Sequence, residues 1–128
     1  MRRTLVYALP AVLYAGAIFF ASSVPNPPGM PMPSGDKLLH FGVFLGLGFV
    51  CARACSGYGF GAPRAAMLGA LAGAAYGATD EIHQMLVPNR FPELADVVAD
   101  ALGAVAGAGL WRLTLGRSSS PPPAQEHS

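Results

Sequence analysis

The stretch Ala65-Ala66-Met67-Leu68-Gly69-Ala70-Leu71-Ala72-Gly73-Ala74-Ala75-Tyr76-Gly77-Ala78-Thr79-Asp80-Glu81-Ile82-His83-Gln84 decides how this chain folds. No charge interrupts it from Ala65 to Thr79, and then two acids, a histidine and an amide follow almost without a gap. Two other segments repeat the pattern. Asp36-Lys37 with His40 opens the apolar run 38–52, and Asp96 with Asp100 opens the run 101–111. Ionisable groups at membrane depth are costly, so their concentration at one end of three apolar helices marks a candidate functional site.

Composition points the same way. Of 128 residues, 52% are apolar and only 12% are charged, with a mean hydropathy of +0.42. Soluble domains average about 25% charged residues. Half that share, with apolar runs separated by short breaks, predicts a polytopic membrane protein. A net charge of +1 provides no basic face for nucleic acid, and that class of partner is set aside. Cys51 and Cys55 lie four residues apart with no second pair, so they read as small packing residues rather than a zinc or disulfide framework.

The apolar runs predict an all-α, four-transmembrane-helix bundle with helices over about 4–22, 36–55, 64–86 and 93–115. Residues 1–116 then form one membrane domain, and 117–128 form a disordered cytoplasmic tail rich in Ser and Pro. Arg2-Arg3 before the first helix and Ala21-Ser22-Ser23 after it also fit a secretory signal, but the apolar segment Leu5–Ala21 favours a retained helix by its length. Residues 22–35 carry Pro25, Pro27, Pro28, Pro31 and Pro33 and read as an external loop. A cytoplasmic N-terminus puts Arg2, Arg3, Arg53, Arg64, Arg112 and Arg117 inside and only Lys37 and Arg90 outside, a split of six to two. Both termini are then cytoplasmic. Asp36, Asp80, Glu81, Glu93, Asp96 and Asp100 face the periplasm or exterior.

Residues three and four apart share a helix face. Asp36 falls with His40, Asp80 with His83 and Gln84, and Asp96 with Asp100. Glu81 sits about 100° from Asp80 and is expected to serve a different partner. Gly69, Gly73 and Gly77 form a ridge of small residues in line with Asp80, and Gly103 and Gly107 form another in line with Asp96 and Asp100. Such ridges let helices approach closely, so these acids should point into the bundle. The second helix lacks a ridge on its His40 face, which continues through Phe44 and Leu47 and is expected to wall the site with apolar bulk.

Four patterns resemble the VanZ-like membrane protein family over about residues 10–112. They are Asp36-Lys37-x-x-His40-Phe41, Gly77-x-x-Asp80-Glu81-x-His83-Gln84-x-x-x-Pro88-x-Arg90, Asp96-x-x-x-Asp100-x-x-Gly103 and Ser23-x-Pro25. The Asp-Glu-x-His-Gln box with its downstream Pro-x-Arg is the most specific. The resemblance implies a small bacterial inner-membrane protein of several helices. It also implies a role in cell-envelope physiology such as resistance to glycopeptides of the teicoplanin type. Asp100 departs from the family, which often has Asn there, and the extra acid raises the local negative charge.

Three readings of the polar cluster stay open. In the first it only locks helices: Asp36 and Asp96 cap helix starts, and Lys37 or Arg90 pairs with Asp80 or Glu81. Asp100, a turn deeper with no evident basic partner, fits that reading least. In the second, Asp36, Lys37, His40, Asp80, Glu81, His83, Gln84, Arg90, Asp96 and Asp100 line a binding site for membrane lipid, a lipid-linked envelope precursor or a glycopeptide, with Lys37 and Arg90 holding an anionic headgroup. In the third, Asp80, His83, His40, Asp96 and Asp100 are the candidates for acid/base catalysis. A divalent metal is the variant of that reading, with oxygen ligands suiting Mg, Ca or Mn and imidazole permitting Zn. Ser22, Ser23 and Ser34 read as loop serines rather than nucleophiles. Self-association of so glycine-rich a bundle is also expected.

Overall fold

The computed structural model describes residues 2–23, 35–88 and 93–116. They form α1 (Leu9–Ser22), α2 (Gly35–Gly57), α3 (Ala62–Gln84) and α4 (Leu94–Thr114), with a π-helical turn over Thr4–Ala8 leading into α1. Among the described residues there is no strand.

The π turn has a local cause. Pro10 has no N–H, so the carbonyl of Val6, four residues earlier, loses its helical donor. Arg53 at the far end of α2 supplies the replacement, its Nη1 donating to Val6 O at 2.7 Å. The same guanidinium lies 4.8 Å from the centre of the Tyr7 ring. The start of α1 is thereby tied to the end of α2, as an up-down arrangement requires. Between α2 and α3, Gly59 takes φ 101°, a left-handed conformation that other residues adopt only with strain.

Helices α2, α3 and α4 pack on one another through backbone-close contacts. A Cβ added at Gly48 would overlap the Ala104 carbonyl, one at Gly107 the Leu45 carbonyl, and one at Gly69 the backbone of Ala52. Gly73 meets Ala104, and Gly77 meets the Cβ of Asp100. The predicted ridges on the third and fourth helices thus lie at helix contacts. The second helix adds Gly48, which the sequence reading overlooked because it falls off the His40 face. On that face Phe44 and Leu47 are buried with Ile18 of α1.

Helix α1 lies outside this trio, against α2 and α3. Tyr14 donates to Val43 O at 2.5 Å, and Tyr76 of α3 donates to Ala15 O at 2.5 Å. Each phenol holds a backbone carbonyl of a neighbouring helix. Away from the polar end, Ala52, Ala65, Ala108 and Trp111 form a wholly apolar cluster. Outward faces are apolar too, with Val12, Phe20, Leu39, Leu71, Leu102 and Leu110 exposed. Thr4–Ser22, Lys37–Gly57 and Leu94–Thr114 are long and apolar enough to cross a membrane. Four crossings were expected from the sequence. In α3 the many Ala and Gly residues contribute little hydropathy, and Asp80, Glu81, His83 and Gln84 occupy its last turn.

Candidate functional site

The polar residues gather where α3 ends and α4 begins. Asp80 stands three residues after Gly77 and continues the face that packs on α4, so the register that buries the glycines also buries the acid. Asp80, Glu81 and Gln84 are buried, as are Asp96 and Asp100, and Asp100 is 0% exposed. A carboxylate removed from water needs hydrogen-bond donors around it. Those donors come from α1, α2 and α3 and from the segment entering α4.

Asp100 receives His40, with Nδ1 to Oδ1 at 2.7 Å. With Nδ1–H donating to the carboxylate, the ring is fixed in orientation and tautomer. The sequence showed no basic partner for Asp100. The fold supplies one from α2. Asp80 Oδ2 accepts from Ser22 Oγ at 2.8 Å and from Gln84 Nε2 at 3.2 Å. Beside Asp80 a cleft of about 120 Å³ opens, lined by Ser22, His40, Asp80 and Gln84 and by apolar Ile18, Leu39, Val43 and Phe44.

His83 leaves this cleft and packs on α1. Its ring stacks on Phe19 with centroids 4.3 Å apart, and Nε2 lies 2.9 Å from Ser23 Oγ. The one hydroxyl hydrogen of Ser23 is donated to Phe19 O at 2.8 Å. The Ser23 hydroxyl thus bridges a carbonyl of its own helix and the His83 ring. This pair joins α1 to α3.

On the other flank, Glu81 accepts the backbone N–H of Glu93 at 2.7 Å through Oε1. Lys37 Nζ lies 2.9 Å from Glu93 Oε2 and 3.7 Å from Asp96 Oδ1. Lys37, expected with Arg90 as a candidate partner of Asp80 or Glu81, thus meets Glu93 and Asp96, because α2 and α4 adjoin at that height. Asp96 lies inside the first turn of α4, and the N-cap position belongs to Glu93 without a side-chain cap bond. The hydrogen bond from Lys37, and then its charge, hold the exposed Glu93 carboxyl below the usual glutamate range.

Among the described residues, Asp80 Oδ1, Glu81 Oε2 and Asp100 Oδ2 are buried carboxylate oxygens without a hydrogen-bond donor. The site therefore has a surplus of acceptors. Among the described residues no group of three or more His, Cys, Asp or Glu side chains is arranged to hold a metal ion. His40 and Asp100 form a hydrogen-bonded pair, and His40 lines the same cleft as Asp80. Arg90, Ser34 and the side chain of Asp36 lie outside the described residues.

Ser22 and Ser23 have contacts that a reading as loop serines missed. Ser22 is the last residue of α1 and Ser23 its C-cap, and each meets a member of the Asp-Glu-x-His-Gln box. A signal for them was present, since they too are polar residues closing an apolar run.

An all-helical bundle with apolar outer faces, three helices fit to cross a bilayer and acids buried at one end is a membrane protein. The chain belongs to the VanZ-like family, for the VanZ/LLP1 family model matches residues 5–115. No curated protein and no solved structure gives a match.

Proposed function

We propose that this protein crosses the bacterial inner membrane four times, as one domain over residues 1–116, with residues 117–128 and the N-terminus in the cytoplasm. Its polar end then faces the periplasm or exterior and binds a cell-envelope component, either a glycopeptide of the teicoplanin type or a lipid-linked envelope precursor. Arg2, Arg3, Arg53, Arg64 and Arg112, all at the end away from the acids, support this orientation. Helix α3 has 23 residues, about 34 Å at 1.5 Å per residue, which supports a fourth crossing despite its modest hydropathy. Ile18 and Ser22 of α1 are part of the buried structure, which supports a retained first helix.

One observation carries the binding reading. Asp80 is buried in the wall of the cleft with Oδ1 unmet, a cost that a purely structural lock would have avoided. The test is expression in a teicoplanin-susceptible host. Wild type should raise tolerance, and Asp80→Leu at equal membrane abundance should not. Equal susceptibility of the empty host and the wild-type strain sinks the resistance role.

A membrane-embedded acid/base enzyme acting on a lipid-linked precursor is the second reading. His40, oriented by Asp100 and lining the same cleft as Asp80, favours it. Conversion of a precursor by purified protein, lost in His40→Gln, is the observation that distinguishes it from binding alone.

A further inference from the structure

The cleft between α1, α2 and α3 has a polarity that selects its occupant. Ser22 and Gln84 are its neutral donors, and both already point at one oxygen of Asp80. The other oxygen, on a side chain only 4% exposed, has no partner. Lys37 is turned away toward Glu93 and Asp96, and the His40 Nδ1–H is directed at Asp100. Among the described residues no lysine or arginine lines the cleft, so a phosphate entering here would meet the Asp80 carboxylate. A group rich in N–H donors and positively charged would complete Asp80 with a charge-assisted hydrogen bond.

The rest of the wall describes the remainder of the ligand. Ile18, Val43 and Phe44 supply apolar surface beside the acid, and Ala21 and Leu39 at the rim are exposed. The described rim of the cleft between α1 and α2 is therefore apolar. A molecule reaching Asp80 by this route has an apolar portion outside and a small donor group at its tip. The cleft volume of about 120 Å³ suits an alkylammonium end and not a sugar chain.

We infer that this cleft receives the protonated primary amine of an amphiphile, with Asp80 Oδ1 as acceptor. The inference rests on the reading of the cleft as a binding site and names the chemistry it takes. It also reverses the sequence expectation that an anionic headgroup is held there by lysine and arginine.

The test uses the full chain purified in a maltoside detergent, titrated with phosphatidylethanolamine, phosphatidylcholine and phosphatidylglycerol and read by native mass spectrometry. The ethanolamine lipid should bind at least tenfold more tightly than the other two, because choline has no N–H and glycerol has no cation. Asp80→Asn should remove that preference. Ala21→Phe, which fills the rim and leaves Asp80 in place, should abolish binding and serves where Asp80→Asn yields no monodisperse protein. Competition by free ethanolamine at the lipid's own affinity assigns the amine to a soluble source, and competition only by the lipid assigns it to the membrane. Both support an amine site. Equal or tighter binding of phosphatidylglycerol, abolished by Ala21→Phe, overturns the amine inference and leaves the cleft a binding site. Binding of every lipid unchanged by Ala21→Phe overturns both.

Discussion

The two ends of the same three-helix contact are built on one device and used in opposite ways. At one end, Gly48, Gly69 and Gly107 bring backbones together around Ala52, Ala65, Ala108 and Trp111, and among the described residues no side-chain polar atom is buried there without a partner. At the other, the same registers carry Asp80, Glu81, Asp96 and Asp100 inside, and three of these acids keep an oxygen with no donor. Close apolar packing gains dispersion energy with nothing to desolvate. Buried carboxylates give back much of what their hydrogen bonds contribute. The apolar end holds the bundle together, and the polar end is carried by it.

That contrast is most severely tested at Gly107. Gly107→Leu drives a side chain into the Leu45 backbone, which cannot move aside as a side chain would, and folded protein should be lost from detergent extracts. Gly109→Leu, on a position with open space around it, should behave as wild type. If both variants remain monodisperse, the apolar end is not what holds the helices.

A smaller loss is expected from His40→Ala, which strands the fully buried Asp100 and should cost about 3–5 kcal/mol in a detergent unfolding titration. The double variant His40→Leu with Asp100→Leu should recover most of this, since an apolar replacement of a buried pair is close to neutral. Failure to recover would mean that the polar end does support the fold. Ser22→Ala removes one donor from the buried Asp80 and should cost about 2 kcal/mol by thermal unfolding. No loss there would show that α1 is held by its tyrosines alone.

The smallest effect concerns Glu93. Its carboxyl is held below the usual glutamate value in the folded protein, so the stabilisation is present above the unfolded value, near 4.3, and is lost as pH falls through the folded one. Glu93→Gln should flatten a slight acid-side decline in unfolding temperature and leave neutral stability almost unchanged. The pair is exposed on both sides, which keeps the effect small.

Much of this architecture was legible because apolar runs of membrane length are unambiguous and glycines three or four apart mark contacts. Helix α3 was harder, since Ala and Gly are nearly neutral on any transfer scale and the acids of its last turn lower its apolar character further. The site was legible on each helix separately but not between helices. His40 and Asp100 are 60 residues apart, and Ser22 and Asp80 are 58 apart, so nothing in local spacing joins them. The pairing of Lys37 with Glu93 and Asp96 was hidden for the same reason: face-sharing within a helix says nothing about which neighbour lies opposite. Ser22 and Ser23 were set among loop residues by the prolines that follow, although the helix runs up to them before the prolines take effect.

Trp111 is the chain's single tryptophan, is 2% exposed, and sits three turns of α4 away from Asp100. Its indole is therefore a built-in optical gauge placed in the half of the molecule that no cleft ligand touches. Emission should stay blue and shielded from aqueous quenchers while the cleft is filled, emptied or mutated. It should redden only when the helices part. A single cuvette then separates a damaged site from a collapsed bundle, with no label added.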